Sequence, residues 1–279
     1  MHSFTSYPAP IRKAILLLAG GTMFGFLVAV VMVARSPSMA SATDLHAAAP
    51  RFSVQRKVVA PAHKAPQRLL AVVDHEDILP KQRVIADQVL RSLPPSCRNN
   101  LENFYVNYDK NAANRGLGGE HTIIVIGHVP DREFRALIVH ECGHVADLGG
   151  LRGTPAGGYT NFYDGHKPIY ANDSSVAFYE ISWITPVINQ PGTKESDFVS
   201  GYAASDPFED FAETFAYFAL QQESFKKIAA SNPVLKAKYD FMEQVVFAGS
   251  MSIAQGQYVP GKNIPWDVTK LPYVWHAKK

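Results

Sequence analysis

The spacing of hydrophobic and polar positions changes character as the chain proceeds. Residues 14–34, AILLLAGGTMFGFLVAVVMVA, run uncharged for 21 positions, and about 20 helical residues cross the hydrocarbon core of a bilayer. Arg12 and Lys13 stand immediately before this run, so the positive-inside tendency keeps the N-terminus in the cytoplasm and sends the rest outward. Residues 1–34 are therefore expected to be a membrane anchor or a signal peptide. Small residues around Ala40 and Ala42 offer a signal peptidase two places to cut. Retention predicts a single-pass membrane protein with its domain extracytoplasmic; cleavage after Ala40 or Ala42 predicts a secreted one. Residues 35–66, rich in Ala, Pro and Ser with scattered basic side chains, keep no period and read as a flexible linker. Residues 67–279 are expected to form one folded domain.

Within that domain, residues 81–92 put Val84, Ile85, Val89 and Leu90 on one helical face, and Pro94-Pro95 ends the pattern. Residues 104–108 predict a short strand, Arg115 to Gly119 a turn, and the β-branched run 122–126 (TIIVI) a buried strand. Apolar residues Phe134, Leu137, Ile138 and Val145 recur at helical spacing, so residues 132–148 predict a helix with Asp131 as its cap and Gly149-Gly150 as its stop. The Gly- and aromatic-rich stretch 151–168 reads as a long surface loop, and residues 173–183 as a short helix. Asp206-Pro207 opens a further helix, FEDFAETFAYFALQQE, with acidic residues near its positive end. One or two more helices and an irregular tail, NIPWDVTKLPYVW, complete the chain.

Composition narrows the function class. Lys and Arg number 27 against 25 Asp and Glu, and no basic cluster interrupts the folded part, so the footprint of a nucleic-acid binder is absent. Cys97 and Cys142 are the only cysteines, too few for a cysteine framework or a Cys-rich zinc site, although one bridge between them stays open in an oxidising compartment. Such a bridge ties the segment after the first helix to the helix carrying Cys142.

That helix also carries His140-Glu141-Cys142-Gly143-His144, an H-E-x-x-H pattern. Residues four apart share a helical face, so both imidazoles can reach one tetrahedral Zn2+ ion, with Glu141 offset toward a bound water as general base. The alternative is two histidines on a solvated face. A catalytic site needs a third protein ligand and an open fourth position. The metzincin arrangement fails, because Asp147 and Gly150 stand where it needs glycine and histidine. In Glu209-Asp-Phe-Ala-Glu213 the same four-residue spacing supplies two carboxylates on one face. Glu209 is assigned to the metal and Glu213 to a ligand histidine's free N–H; the alternative for Glu209 is an acidic first turn that complements the helix dipole. Asp147, three residues after His144, can orient that imidazole or end the helix. His121, His128 and His166 are read as ordinary histidines, His166 being nearest to a substrate role. Asp164 and Asp173 lack calcium-loop spacing and read as turn and cap residues. Trp183, Phe211, Phe215 and Phe218 read as core.

HECGH followed by EDFAETFA resembles the gluzincin clan of zinc peptidases, and most the catalytic domain of the anthrax-toxin lethal-factor-like family. In that family a tyrosine lies seven residues before the ligand glutamate and a second glutamate four residues after it; Tyr202, Glu209 and Glu213 keep both intervals. The resemblance spans about residues 119–220 and carries no substrate with it. It implies an α+β, zincin-like fold with a small sheet packed on the HExxH helix, zinc ligation by Glu209, and a hydrogen bond from Tyr202 to the oxyanion of a tetrahedral intermediate.

The expected activity is peptide-bond hydrolysis by a zinc-activated water, on a peptide or protein substrate, with Gly119 to Ile126 as the sheet edge that pairs with it. A zinc amidase acting on cell-wall peptides uses the same chemistry. A zinc-stabilised surface binding module without turnover is the alternative from another class.

Overall fold

The computed structural model describes residues 68–249, 253–261 and 263–276, all within the unit His63–Lys279. The anchor or signal segment, the linker and the cleavage positions lie outside the described residues. Among the described residues no helix is long and apolar enough to cross a membrane.

The architecture is mixed α+β. In chain order come α1 (Pro80–Ser92), a short α2 (Pro95–Arg98), β1 (Asn103–Asn107), β2 (Gly116–Gly118), β3 (Thr122–Ile126) and α3 (Asp131–Val145). A hairpin of β4 (Tyr159–Asp164) and β5 (Lys167–Tyr170) follows, then α4 (Val176–Ser182) and a second hairpin, β6 (Trp183–Thr185) with β7 (Ile188–Asn189). The long α5 (Pro207–Ala229) and α6 (Pro233–Phe241) lead to β8 (Ala254–Gly256) and β9 (Tyr273–Trp275), which pair antiparallel.

The α1 stripe is rotated from expectation. Ile85, Ala86, Val89 and Leu90 are buried while Val84 is largely exposed, because the face centres one residue further along and leaves position 84 at its edge. Helix α3 begins at Asp131 itself. Pro130 occupies the cap position with no side-chain hydrogen bond, and the Asp131 carboxylate pairs instead with exposed Lys81 at 2.7 Å. A proline ring fits the residue before the first turn, so Asp131 is already helical. The helix continues into a wide π-type turn, Ala146–Gly150.

The main sheet runs in the order β1-β3-β2, with β1 parallel and β2 antiparallel to β3. This corrects the expectation for Gly119 to Ile126: β3 is the central strand between edges β1 and β2, and the edge that lines the cleft is Gly116–Gly118, a segment expected to be a turn. Gly-Leu-Gly has little strand preference of its own. Its extended state comes from pairing with β3. The stretch expected to be a loop, residues 151–168, holds β4 and the start of β5, joined through Gly165 at φ 58°.

α3 and α5 pack against each other and form the floor of the core. Phe134, Leu137, Ile138 and Val139 of α3 and Ile123 and Val125 of β3 are buried, while on α5 Phe211 packs on Phe178 and Phe241, and Phe215 and Phe218 pack on Phe247. Each such side chain contributes roughly 1.5–3 kcal/mol by leaving water. Gly143 is the close-approach point, since a Cβ there would lie 2.8 Å from the Ala212 backbone. Side by side at that distance, the two helices bring their polar residues within reach of each other. α5 is fixed from its other flank by a buried pair, Lys238 Nζ donating to Asp210 at 2.6 and 2.9 Å, joined by Trp183 Nε1 at 3.0 Å.

Candidate metal centre

Four residues apart on α3, His140 and His144 point the same way, and both are buried. Across the Gly143–Ala212 contact, Glu209 projects from the first turn of α5. Its Oε2 lies 3.3 Å from His140 Nε2 and 3.5 Å from His144 Nε2. Asp206 sets this first turn, its carboxylate accepting the Phe208 and Glu209 amides at 2.9 Å each.

Glu209 Oε2 is buried and has no hydrogen-bond partner. Its approaches to the two imidazoles are close but not aligned as hydrogen bonds. A stranded carboxylate oxygen costs free energy unless a cation meets it. Tetrahedral ligands about 2.1 Å from a zinc ion stand about 3.4 Å from one another, close to the distances from Glu209 Oε2 to the two imidazole nitrogens. His140, Glu141 and His144 also cluster, their ligand atoms within 4.8 Å. The oxygen stranded between the two imidazoles is that of Glu209, so His140, His144 and Glu209 are the set that fits, with Glu141 beside them.

Glu213, fully buried one turn beyond Glu209, holds His140 from behind. His140 Nδ1 lies 2.9 Å from Glu213 Oε1, while Glu213 Oε2 accepts Ser200 Oγ at 2.6 Å and the Val268 amide at 2.9 Å. An imidazole that donates through Nδ1 presents Nε2 as its free lone pair, so this contact also fixes the tautomer needed for ligation. Asp147 is buried and accepts the Tyr179 hydroxyl at 2.5 Å through Oδ1, with Oδ2 unpartnered; among the described residues no hydrogen bond joins it to His144. The Tyr202 hydroxyl donates to Glu209 Oε1 at 3.0 Å.

The electrostatics of these side chains follow from the same contacts. Burial disfavours charge on His140, but the Glu209 and Glu213 carboxylates outweigh it and hold its pKa well above 6.5. His144 is raised too, burial again opposed mainly by Glu209. Burial also works against charge on Glu209, yet the two imidazoles keep it far below the usual carboxylate range. Glu141 goes the other way, since burial lifts its carboxyl more than the histidines lower it.

These groups sit in a cleft of about 520 Å³ whose walls include Gly116, Leu117, Gly118, Phe208, Trp266 and Asp267. Gly116 lies so close to Glu141 that a Cβ there would fall 1.9 Å from Oε1. Cys97 and Cys142 form a disulfide with Cα atoms 5.5 Å apart, and Cys142 faces away from the cleft. His121 bonds the Asn100 carbonyl, and His128 and His166 are exposed; none of the three lines the cleft. Asp164 does line it, whereas Asp173 accepts the Gly153 and Ser175 amides. Trp183 is buried.

The sequence reading missed Ser200, Val268 and the wall residues Arg115, Trp266, Asp267 and Thr269. Arg115 bonds Glu133, Asp267 and Thr269, clamping the tail across the cleft. The Asp267-x-Thr269 turn, where the Asp267 carboxylate accepts the Thr269 amide and hydroxyl, is a local signature visible in sequence. Nothing local places it beside residue 115. Comparison with protein-family models, with curated proteins and with solved structures found no match to this chain.

Proposed function

We propose that this chain is a zinc-dependent peptidase of gluzincin type, resembling the lethal-factor-like family, with its catalytic domain held outside the cytoplasmic membrane. The observation that carries the proposal is the meeting of His140 Nε2, His144 Nε2 and Glu209 Oε2, which accepts no hydrogen bond, with Glu141 beside them at the base of a cleft. A zinc ion held there supplies a Lewis acid and brings the pKa of a coordinated water to about 7.

The chain's own residues supply the rest. Glu141, its proton affinity lifted by burial, takes a proton from the attacking water and returns it to the leaving amine. Glu213 keeps His140 in its ligating tautomer. The edge strand β2 receives the substrate. Arg115 and Gly119 pair inward with Ile126 and Thr122, so by the alternation of an antiparallel ladder Gly116 and Gly118 turn their amides and carbonyls outward. An extended peptide can add there as a further strand, above Glu141. Leu117, Phe208 and Trp266 offer apolar surface to its side chains.

Glu141→Gln tests the reading. The variant is expected to keep its zinc and to lose about 10²–10⁴-fold in hydrolysis of a peptide library. Cleavage confined to muropeptides, abolished by the same change, would favour the cell-wall amidase. A zinc-bound parent that hydrolyses neither, with no difference in the variant, would leave the non-catalytic binding module.

A further inference from the structure

We infer that Tyr202 is a positioning residue that restricts Glu209 to a single metal-facing oxygen. The inference rests on the proposed metal site and goes beyond it, because the expectation for Tyr202 was a hydrogen bond to substrate. A carboxylate can meet a cation through one oxygen or both. A four-coordinate site with His140, His144 and an open position has room for one.

The geometry divides the two oxygens of Glu209. Oε1 accepts the Tyr202 hydroxyl at 3.0 Å, and Oε2 faces the two imidazoles with no hydrogen-bond partner. The hydroxyl has one hydrogen to give. While it is given to Glu209, it is not available to an oxyanion.

Tyr202 is itself held from several sides. Its ring stacks on His140, centroids 6.1 Å apart and planes 24° from parallel, and leans on Trp266 at 6.4 Å. Its amide donates to the Trp266 carbonyl, and the Gly201 amide to the Pro265 carbonyl, at 2.8 Å each. Gly201 is the point of closest approach, since a Cβ there would lie 2.6 Å from the Trp266 ring. The tail thus fixes Tyr202, Tyr202 fixes Glu209 Oε1, and Oε2 is left aimed at the histidines.

The test is Tyr202→Phe in the full-length protein, which keeps the ring on His140 and asks for no new space. Zinc affinity is measured by chelator competition, and coordination by the visible absorption of the Co2+-loaded protein. Affinity is expected to fall about 10–100-fold. The Co2+ absorption is expected to weaken as the released Oε1 swings in and coordination rises from four to five. A metal-free variant whose melting transition matches that of the metal-free parent assigns the loss to the site rather than the fold. Unchanged zinc affinity and an unchanged Co2+ spectrum, with only kcat reduced, would overturn the inference and return Tyr202 to the oxyanion. A parent that binds neither ion would overturn the metal site as well, and that failure shows in the parent alone.

Discussion

Protons and a metal ion compete for His140 and His144. In the metal-free site both imidazoles have pKa values above the ordinary 6.5, raised against burial by the carboxylates around them. Their charged forms therefore contribute stability that is fully present below about pH 6.5 and is lost as pH rises through the raised values. Glu209, held low, stays ionised across that range. Zinc must displace the protons, so its affinity is expected to increase from about pH 6 to pH 8 with proton release, while the melting temperature of the metal-free protein decreases over the same interval. Calorimetry in buffers of different ionisation enthalpy reads the released protons directly. A pH-independent affinity would contradict the site's composition. His140, Glu141 and His144 were legible in sequence because a helix puts positions four apart on one face, and Glu209 and Glu213 for the same reason. Ser200 and the Val268 amide were not, since a hydroxyl or main-chain donor to a buried carboxylate leaves no pattern of residue types.

Helix α3 carries the motif and is braced on two sides. Gly143 lets it touch α5 at Ala212, and the Cys97–Cys142 disulfide joins it to α2 from the side away from the cleft. The bridge closes a separation of 45 residues, for which chain-entropy arguments give stabilisation of about 2–4 kcal/mol. Cys97→Ala with Cys142→Ala is expected to lower the unfolding free energy by about that amount, read from denaturant midpoints at constant slope. A loss below about 0.5 kcal/mol would show that the reduced chain already holds these segments together. The two motif helices were readable because local signals agreed, apolar spacing with a glycine stop in α3 and an Asp-Pro opening with an acidic first turn in α5. The β4–β5 hairpin was not, because polar residues and Pro168 leave no clean apolar alternation in either strand, although Asp164-Gly165 is a turn signal set between aromatic residues. β2 was misread as a turn for a related reason. Its two glycines mark close packing on Glu141, a tertiary demand that local propensity does not record.

At the scale of the whole molecule, the cleft is assembled from segments far apart in the chain. Arg115 reaches Asp267 across 152 positions, and Glu213 receives the Val268 amide from 55 positions away. The tail expected to be irregular instead supplies Trp266 to the cleft wall, pins Tyr202 and ends in β9. The α+β class was legible from the order of periodic segments, but closure of the cleft was not, because it depends on pairings that only the folded chain brings together. Tyr202, pinned by this tail, donates to Glu209 Oε1 and leaves Oε2 facing His140 and His144. The decisive measurement is the metal content of the purified protein beside Glu209→Ala, both folded and exposed to excess zinc before dialysis. One zinc ion per chain in the parent and far less than one in the variant is the predicted result. Full zinc in Glu209→Ala, or none in the parent, would contradict the His140, His144 and Glu209 centre.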